Sequence, residues 1–165
     1  MSALMPRFEV FHESAHCAAL TLLGLPPKRV RVDDPYDGCG GCCTLDWPGG
    51  GASDLGQLRN VLVAIVVGGL TSGGEGWTFP IDPDRVALAS RSDARKAAYL
   101  CSALNYDEDD WALILLRART LADLPEYRRL LIRIANELEE REVLEKQDII
   151  RIANSAAPQE APCST

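Results

Sequence analysis

The chain contains two histidines, His12 and His16, which stand four residues apart with Glu13 directly after the first. Two histidines placed at random in a chain of 165 residues fall at this spacing about once in 80 trials, and a glutamate in the second position makes the coincidence rarer still. On an α-helix residues i and i+4 share one face, so the two imidazoles converge on one point. Paired imidazoles suit Zn²⁺, and a carboxylate one residue further round the helix reaches a metal-bound water rather than the metal. The chemistry implied is hydrolysis: the ion lowers the pKa of the water, and Glu13 takes its proton and later hands it to the leaving amine. Two plainer readings stand beside it, structural histidines on a helix and a metal clamp without turnover. Cys17 is rotated about 100° from His16 on an ideal helix and reads as packing.

A catalytic zinc needs a third protein ligand and an open position for water. No third histidine exists, so the ligand is a carboxylate or thiolate brought in by the fold. Candidates are Asp93 at the start of SDARKAAYL, Glu75 in a Gly-rich stretch, and the group Glu137, Glu139, Glu140 and Glu142, which reads better as a solvated helix face beside Arg141 and Lys146. Spacing puts Asp93 only slightly ahead of Glu75. The CGGCC run holding Cys39, Cys42 and Cys43 suggests a zinc ribbon, but the second cysteine pair of a ribbon is missing. Small apolar strand residues are the simpler reading.

The elements that must position these groups follow from periodicity. Phe8 to Leu23 has helical spacing and is closed by Gly24, with Pro26 and Pro27 beyond. Lys28 to Asp33 and Cys42 to Trp47 flank a Pro/Asp/Gly turn region and predict a short β-ribbon. Ser53 is placed to cap a helix whose apolar residues surround its axis through Leu70, which makes it the buried one. Thr71 to Pro83 reads as a long irregular loop close to the site, with Trp77 and Phe79 either lining a cleft or filling the core. Further helices are expected from Ser90 or Ser92, from an Asp107 cap to about Leu121, from about Asp123 to Glu142, and from Asp148 to Asn154. The expectation is a mostly α fold of about six helices with a two-stranded ribbon. Residues 1–154 form one domain in this reading, and 155–165 a loose tail.

Composition narrows the classes. With 47% hydrophobic and 25% charged residues the profile is that of a globular domain able to bury a core without disulfides. Seventeen basic against 24 acidic residues, a net charge of -7 without a basic block, argues against nucleic acid as partner. The longest apolar stretch, Val61 to Leu70, is about half a bilayer span, and the N-terminus has no secretory pattern. No membrane partner, a cytoplasmic location and reduced cysteines are therefore expected.

The run His-Glu-Ser-Ala-His-Cys-Ala-Ala at 12–19, Ser-Asp-Ala-Arg-Lys-Ala at 92–97 and Ala-Asn-Glu-Leu-Glu-Glu-Arg-Glu-Val-Leu at 135–144 resemble the peptidase domain of the FtsH-type ATP-dependent zinc metalloproteases. The resemblance spans about Phe8 to Ile152. It implies one zinc per chain held by His12, His16 and Asp93, with Glu13 as catalytic base, on a helical array with a small β-ribbon. It also implies a polypeptide substrate and, because the eleven residues before His12 leave no room for an ATPase module, a free-standing peptidase domain without a motor of its own; further copies of the chain and an unfoldase or other protein in trans are the partners to consider. The chain departs from the family in having Ala15 where Gly is usual, and in reading Gly68-Gly69-Leu70-Thr71-Ser72-Gly73-Gly74-Glu75 where the family reads Gly-Gly-Arg and then Glu.

The leading function is thus a zinc-dependent metallopeptidase cutting flexible or unfolded polypeptide. A substrate strand is expected to add to the ribbon edge between Gly40 and Leu45, with Gly40, Gly41 and Thr44 as contacts. The alternative of a different class is a non-catalytic, zinc-binding helical adaptor, and a third is a regulatory protein without metal.

Overall fold

The structure is a computed structural model and describes residues 7–32, 41–45, 55–87 and 90–156. These residues form helices α1 (Phe8–Leu22), α2 (Leu55–Thr71), α3 (Arg91–Ala103), α4 (Glu108–Asp123), α5 (Pro125–Arg141) and α6 (Lys146–Ala156), and strands β1 (Arg29–Val32), β2 (Gly41–Thr44) and β3 (Val143–Glu145). The protein is mostly helical, as its periodicity predicts. No helix among the described residues is long and apolar enough to cross a membrane.

The terminators act as the residue types require. Gly24 takes φ +78°, so that its N–H reaches Thr21 O at 3.1 Å and Leu25 N–H reaches Leu20 O at 2.8 Å. This Schellman closure satisfies carbonyls at the end of α1 and turns the chain into β1. Gly73, at φ +76°, closes α2 the same way, and this closure holds Ser72 as the last residue before the turn. At α4 the side chain of Asp107 accepts from Asp110 N–H while that of Asp110 reaches back to Asp107 N–H, a reciprocal capping box. Pro125 is the first residue of α5, where a helix has no N–H bond to lose. The expected Ser53 cap lies outside the described residues.

The sheet has three strands, not two, in the order β2-β1-β3 with both pairs antiparallel. The register sets Val30 opposite Cys43 on one side and Leu144 on the other. β3 follows α5 after Glu142, which takes φ +60° without being glycine, and leads directly into α6. Three residues carry no measurable alternation, so this strand has no signature of its own. α6 accordingly begins earlier than expected and runs to Ala156, with 157–165 outside the described residues.

α1 is the central helix. It packs on α2 along one side and α5 along the other, and the sheet covers part of what remains. The core around it contains Leu62, Val63, Val66, Trp111, Tyr127, Leu130, Ile134, Leu138 and Ile149. Trp77, from the 71–83 loop, is 5% exposed and stacks on Trp111 at 6.5 Å, so it fills the core. Phe79 packs against the same cluster.

Candidate metal centre

Four ionisable side chains lie inside this core: His12, Glu13, His16 and Asp93 are each 7% exposed. The first three come from α1. Asp93 comes from the first turn of α3, where the positive end of the helix favours a carboxylate. Asp93 Oδ2 is 3.0 Å from His12 Nε2 and 2.9 Å from His16 Nε2, and the two Nε2 atoms are 3.1 Å apart. Among the described residues this is the group of side chains arranged to hold a metal ion.

The opposite edge of each ring decides what the Nε2 atoms can do. His16 Nδ1 lies 3.0 Å from the carbonyl of Ala64, an acceptor only, so Nδ1 carries a proton and donates. His12 Nδ1 lies 2.7 Å from Ser72 Oγ, whose own hydrogen goes to Gly68 O at 2.8 Å, so this Nδ1 also donates. Both neutral rings therefore turn an Nε2 lone pair toward Asp93 Oδ2. Three electron pairs face one point largely shielded from bulk water, which is costly unless a cation or a proton sits among them. A tetrahedral zinc with ligand bonds of about 2.0–2.1 Å separates its ligands by about 3.3 Å, close to the triangle present here. Backbone and hydroxyl oxygens behind both imidazoles are the supports that metal-bound histidines normally have. The donor set fits a divalent metal of the zinc type.

Electrostatics agree. Burial works to lower the pKa of His16, but the Asp93 carboxylate and then Glu13 outweigh it, and the value is pushed up to about 9. Burial would raise Asp93, but the imidazoles of His16 and His12 overcome it and hold the carboxyl well below the usual carboxylate range. A metal binding there would displace a proton shared among these atoms. Glu13 is raised by burial, partly offset by His16 and His12.

Two of these side chains, His16 and Glu13, are seated by glycines opposite them. A Cβ on Gly68 of α2 would overlap the His16 ring, and one on Gly69 would overlap the Trp77 indole. Glycine in a helix interior costs about 1 kcal/mol relative to alanine, and here it permits the close approach of a ring to the α2 backbone. Gly41 of β2 does the same for Glu13, whose Cγ would lie 2.6 Å from an added Cβ. Gly68 and Ser72 were not among the expected site residues. Two adjacent glycines inside an apolar helix are a signal that could have found the first, whereas the role of Ser72 depends on how α2 ends.

A cavity of about 240 Å³ opens on these groups, lined by His12, Glu13, His16, Gly41, Cys42, Cys43, Leu45, Ser92, Asp93 and parts of α2. Gly41 is therefore at the site. Thr44 is exposed at the other end of β2, opposite Arg29, and does not line the cavity. Gly40 and Cys39 lie outside the described residues. Cys17 is buried, and Cys17, Cys42, Cys43 and Cys101 are free thiols that join no metal group among the described residues. The Cys43 thiol is pushed well above its usual range by its contact with Cys17 and by burial.

The remaining carboxylate candidates fall elsewhere. Glu75 is exposed. Glu137 pairs with Arg151 at 3.2 Å, and Glu139 with Arg7 at 3.2 Å, on the outer face of α5. The expected serine cap of α3 is absent: Ser90 holds the cap position with φ -102° and ψ 4°, outside the extended conformation a capping side chain needs, and its Oγ has no partner among the described residues.

Fold and site together define a mostly helical protein with a buried His-His-Asp group able to bind a metal. No protein-family model matches the sequence, and no curated protein matches it.

Proposed function

We propose that the protein is a zinc-dependent metallopeptidase that cuts flexible or unfolded polypeptide, similar in design to the peptidase domain of the FtsH-type proteases. The observation carrying this reading is the pair of Nδ1 hydrogen bonds that turn both Nε2 lone pairs onto Asp93, with Glu13 on the same cavity wall. His12, His16 and Asp93 would hold zinc, which when bound would supply a water acidic enough to attack a carbonyl near neutral pH. Glu13 accepts the proton of that water on its carboxylate and returns it to the amine nitrogen as the C–N bond breaks. A carboxyl raised by burial suits both halves of that exchange. The substrate lies as an extended strand on β2, whose outer edge pairs with no strand among the described residues. Gly41 lets its backbone come close to Glu13.

The test is Glu13→Gln assayed on a reduced, carboxymethylated protein. Zinc content near one per chain with cleavage reduced at least about 100-fold is expected, because the amide keeps the shape and cannot take the proton. Unchanged cleavage overturns Glu13 as base. A wild-type protein that holds zinc but cuts nothing is a binding module.

A further inference from the structure

The cavity at the metal centre has a neighbour. A second groove of about 440 Å³ is lined by Val61, Ile65, Arg95, Lys96, Tyr99 and Leu100, and three of these, Val61, Ile65 and Lys96, also line the first cavity. The two therefore adjoin across these residues between α2 and α3. The floor of the second groove is apolar, built from Val61 and Ile65 on one helix and Leu100 with the Tyr99 ring on the other. Tyr99 is 73% exposed, a large apolar surface left uncovered beside the site. Its rim is cationic: Arg95 and Lys96 are adjacent and exposed, and Lys96 Nζ stands 3.5 Å from Asp93 Oδ1. In a chain of net charge -7, two neighbouring cations at the mouth of an apolar groove select by sign.

We propose that this groove is a specificity site, which takes an apolar side chain of the polypeptide substrate while Arg95 and Lys96 favour an Asp or Glu one or two residues away. The inference rests on the peptidase reading and names the substrate class of that site and its adjoining groove. The apolar anchor is held by Val61, Ile65, Tyr99 and Leu100, and its burial supplies most of the affinity. The acidic neighbour stays at the solvated rim, where a charge pair contributes little affinity and chiefly discrimination.

The experiment compares wild type, Arg95→Glu and Tyr99→Ala on a mixed peptide library, with cleavage sites mapped by mass spectrometry and zinc measured for each protein. In parallel, fluorescent peptides carrying Leu-Glu, Leu-Lys or Ser-Glu at their centre are titrated into the Glu13→Gln protein and followed by anisotropy. Both exposed positions tolerate substitution without loss of fold. The expected result is a preference of roughly two- to fivefold for Leu-Glu over Leu-Lys, shrinking as salt rises, and lost in Arg95→Glu, which leaves Lys96 facing a carboxylate, at unchanged zinc. Tyr99→Ala should weaken every Leu peptide several-fold and leave the Glu/Lys ratio intact. Cleavage without this pattern, or a pattern that neither variant changes, overturns the groove while the peptidase reading stands. Peptides bound with the pattern but never cut by wild type uphold the groove and overturn the peptidase. Neither cleavage nor patterned binding overturns both.

Discussion

The two sides of α1 are buried on opposite principles. Toward α5 the interface is made of large interchangeable hydrocarbons: Leu130, Leu131, Ile134 and Leu138 fill space, and every charged residue of α5 stays outside in pairs such as Arg141–Asp148 at 2.7 Å. Toward α2 and α3, hydrocarbons such as Leu62, Val63 and Val66 share the interface with imidazoles, carboxylates, glycines and a serine. The imidazole nitrogens there depend on particular partners, Ser72, Ala64 and Asp93. A hydrocarbon interface tolerates exchange of one shape for a similar one, whereas a buried polar set loses its purpose when one member goes. Stability belongs mainly to the first side and metal chemistry to the second, and substitutions can separate them.

The largest effect is expected from Asp93→Ala. Removing one of three ligands should abolish stoichiometric zinc binding, read by elemental analysis after dialysis, while the fold persists because His16 keeps its bond to Ala64 O. Glu75→Ala, at an exposed position, should retain zinc. Zinc kept by Asp93→Ala and lost by Glu75→Ala would move the ligand to the 71–83 loop and overturn the site. On the other side, Ile134→Ala should cost about 2–5 kcal/mol in urea unfolding, since the side chain is fully buried among other aliphatics, and leave zinc stoichiometry unchanged. A matched loss of zinc affinity in the folded protein would mean that the two sides are not separable.

The sequence exposes the two sides unequally, and for the same physical reason. His12, Glu13 and His16 are legible because their spacing maps directly onto one face of a helix, and α5 because its apolar residues recur at helical intervals. Asp93 is brought to them from more than seventy residues away by the packing of α3 on α2, which no local pattern encodes; the need for a third ligand puts it only slightly ahead of Glu75, and the likeness of its surrounding motif is what singles it out. Ser72 is harder still, because its position is set by the turn that Gly73 imposes on the end of α2. β3 is invisible for a different reason. Three residues pair with β1 only because the turn at Glu142 returns the chain there, and a glutamate at positive φ carries no turn signature.

A smaller effect, on the polar side, is expected from Ser72→Ala. The hydroxyl holds His12 Nδ1 from behind and lies outside the His-His-Asp group, so its loss should weaken zinc binding about 10- to 100-fold in a competition titration with a chromogenic chelator. Ser72→Thr, which keeps a hydroxyl at Cβ, should restore much of the affinity. Equal affinity in Ser72→Ala and wild type would show that His12 is oriented by packing alone.

The smallest effect tests the seam between the two sides. Tyr127 Oη of α5 and Thr71 Oγ1, one residue before Ser72, are 2.8 Å apart. Tyr127→Phe keeps the buried ring and removes this bond, at a cost of about 1 kcal/mol at neutral pH. Burial pushes the Tyr127 pKa from near 10 up to about 12, against a partial lowering by Thr71. The sign follows: the folded protein keeps the phenol neutral while the unfolded chain ionises near pH 10, so this stability is complete below pH 10 and lost as pH rises toward 12. Unfolding of wild type should therefore become easier over that window more steeply than unfolding of Tyr127→Phe, measured by urea midpoints at several alkaline pH values. If the two sides of α1 are independent, Tyr127→Phe leaves zinc affinity where it was. An affinity that falls as far as in Ser72→Ala would mean that the bond to Thr71 helps to place Ser72, and that the hydrocarbon side reaches the metal through this one contact.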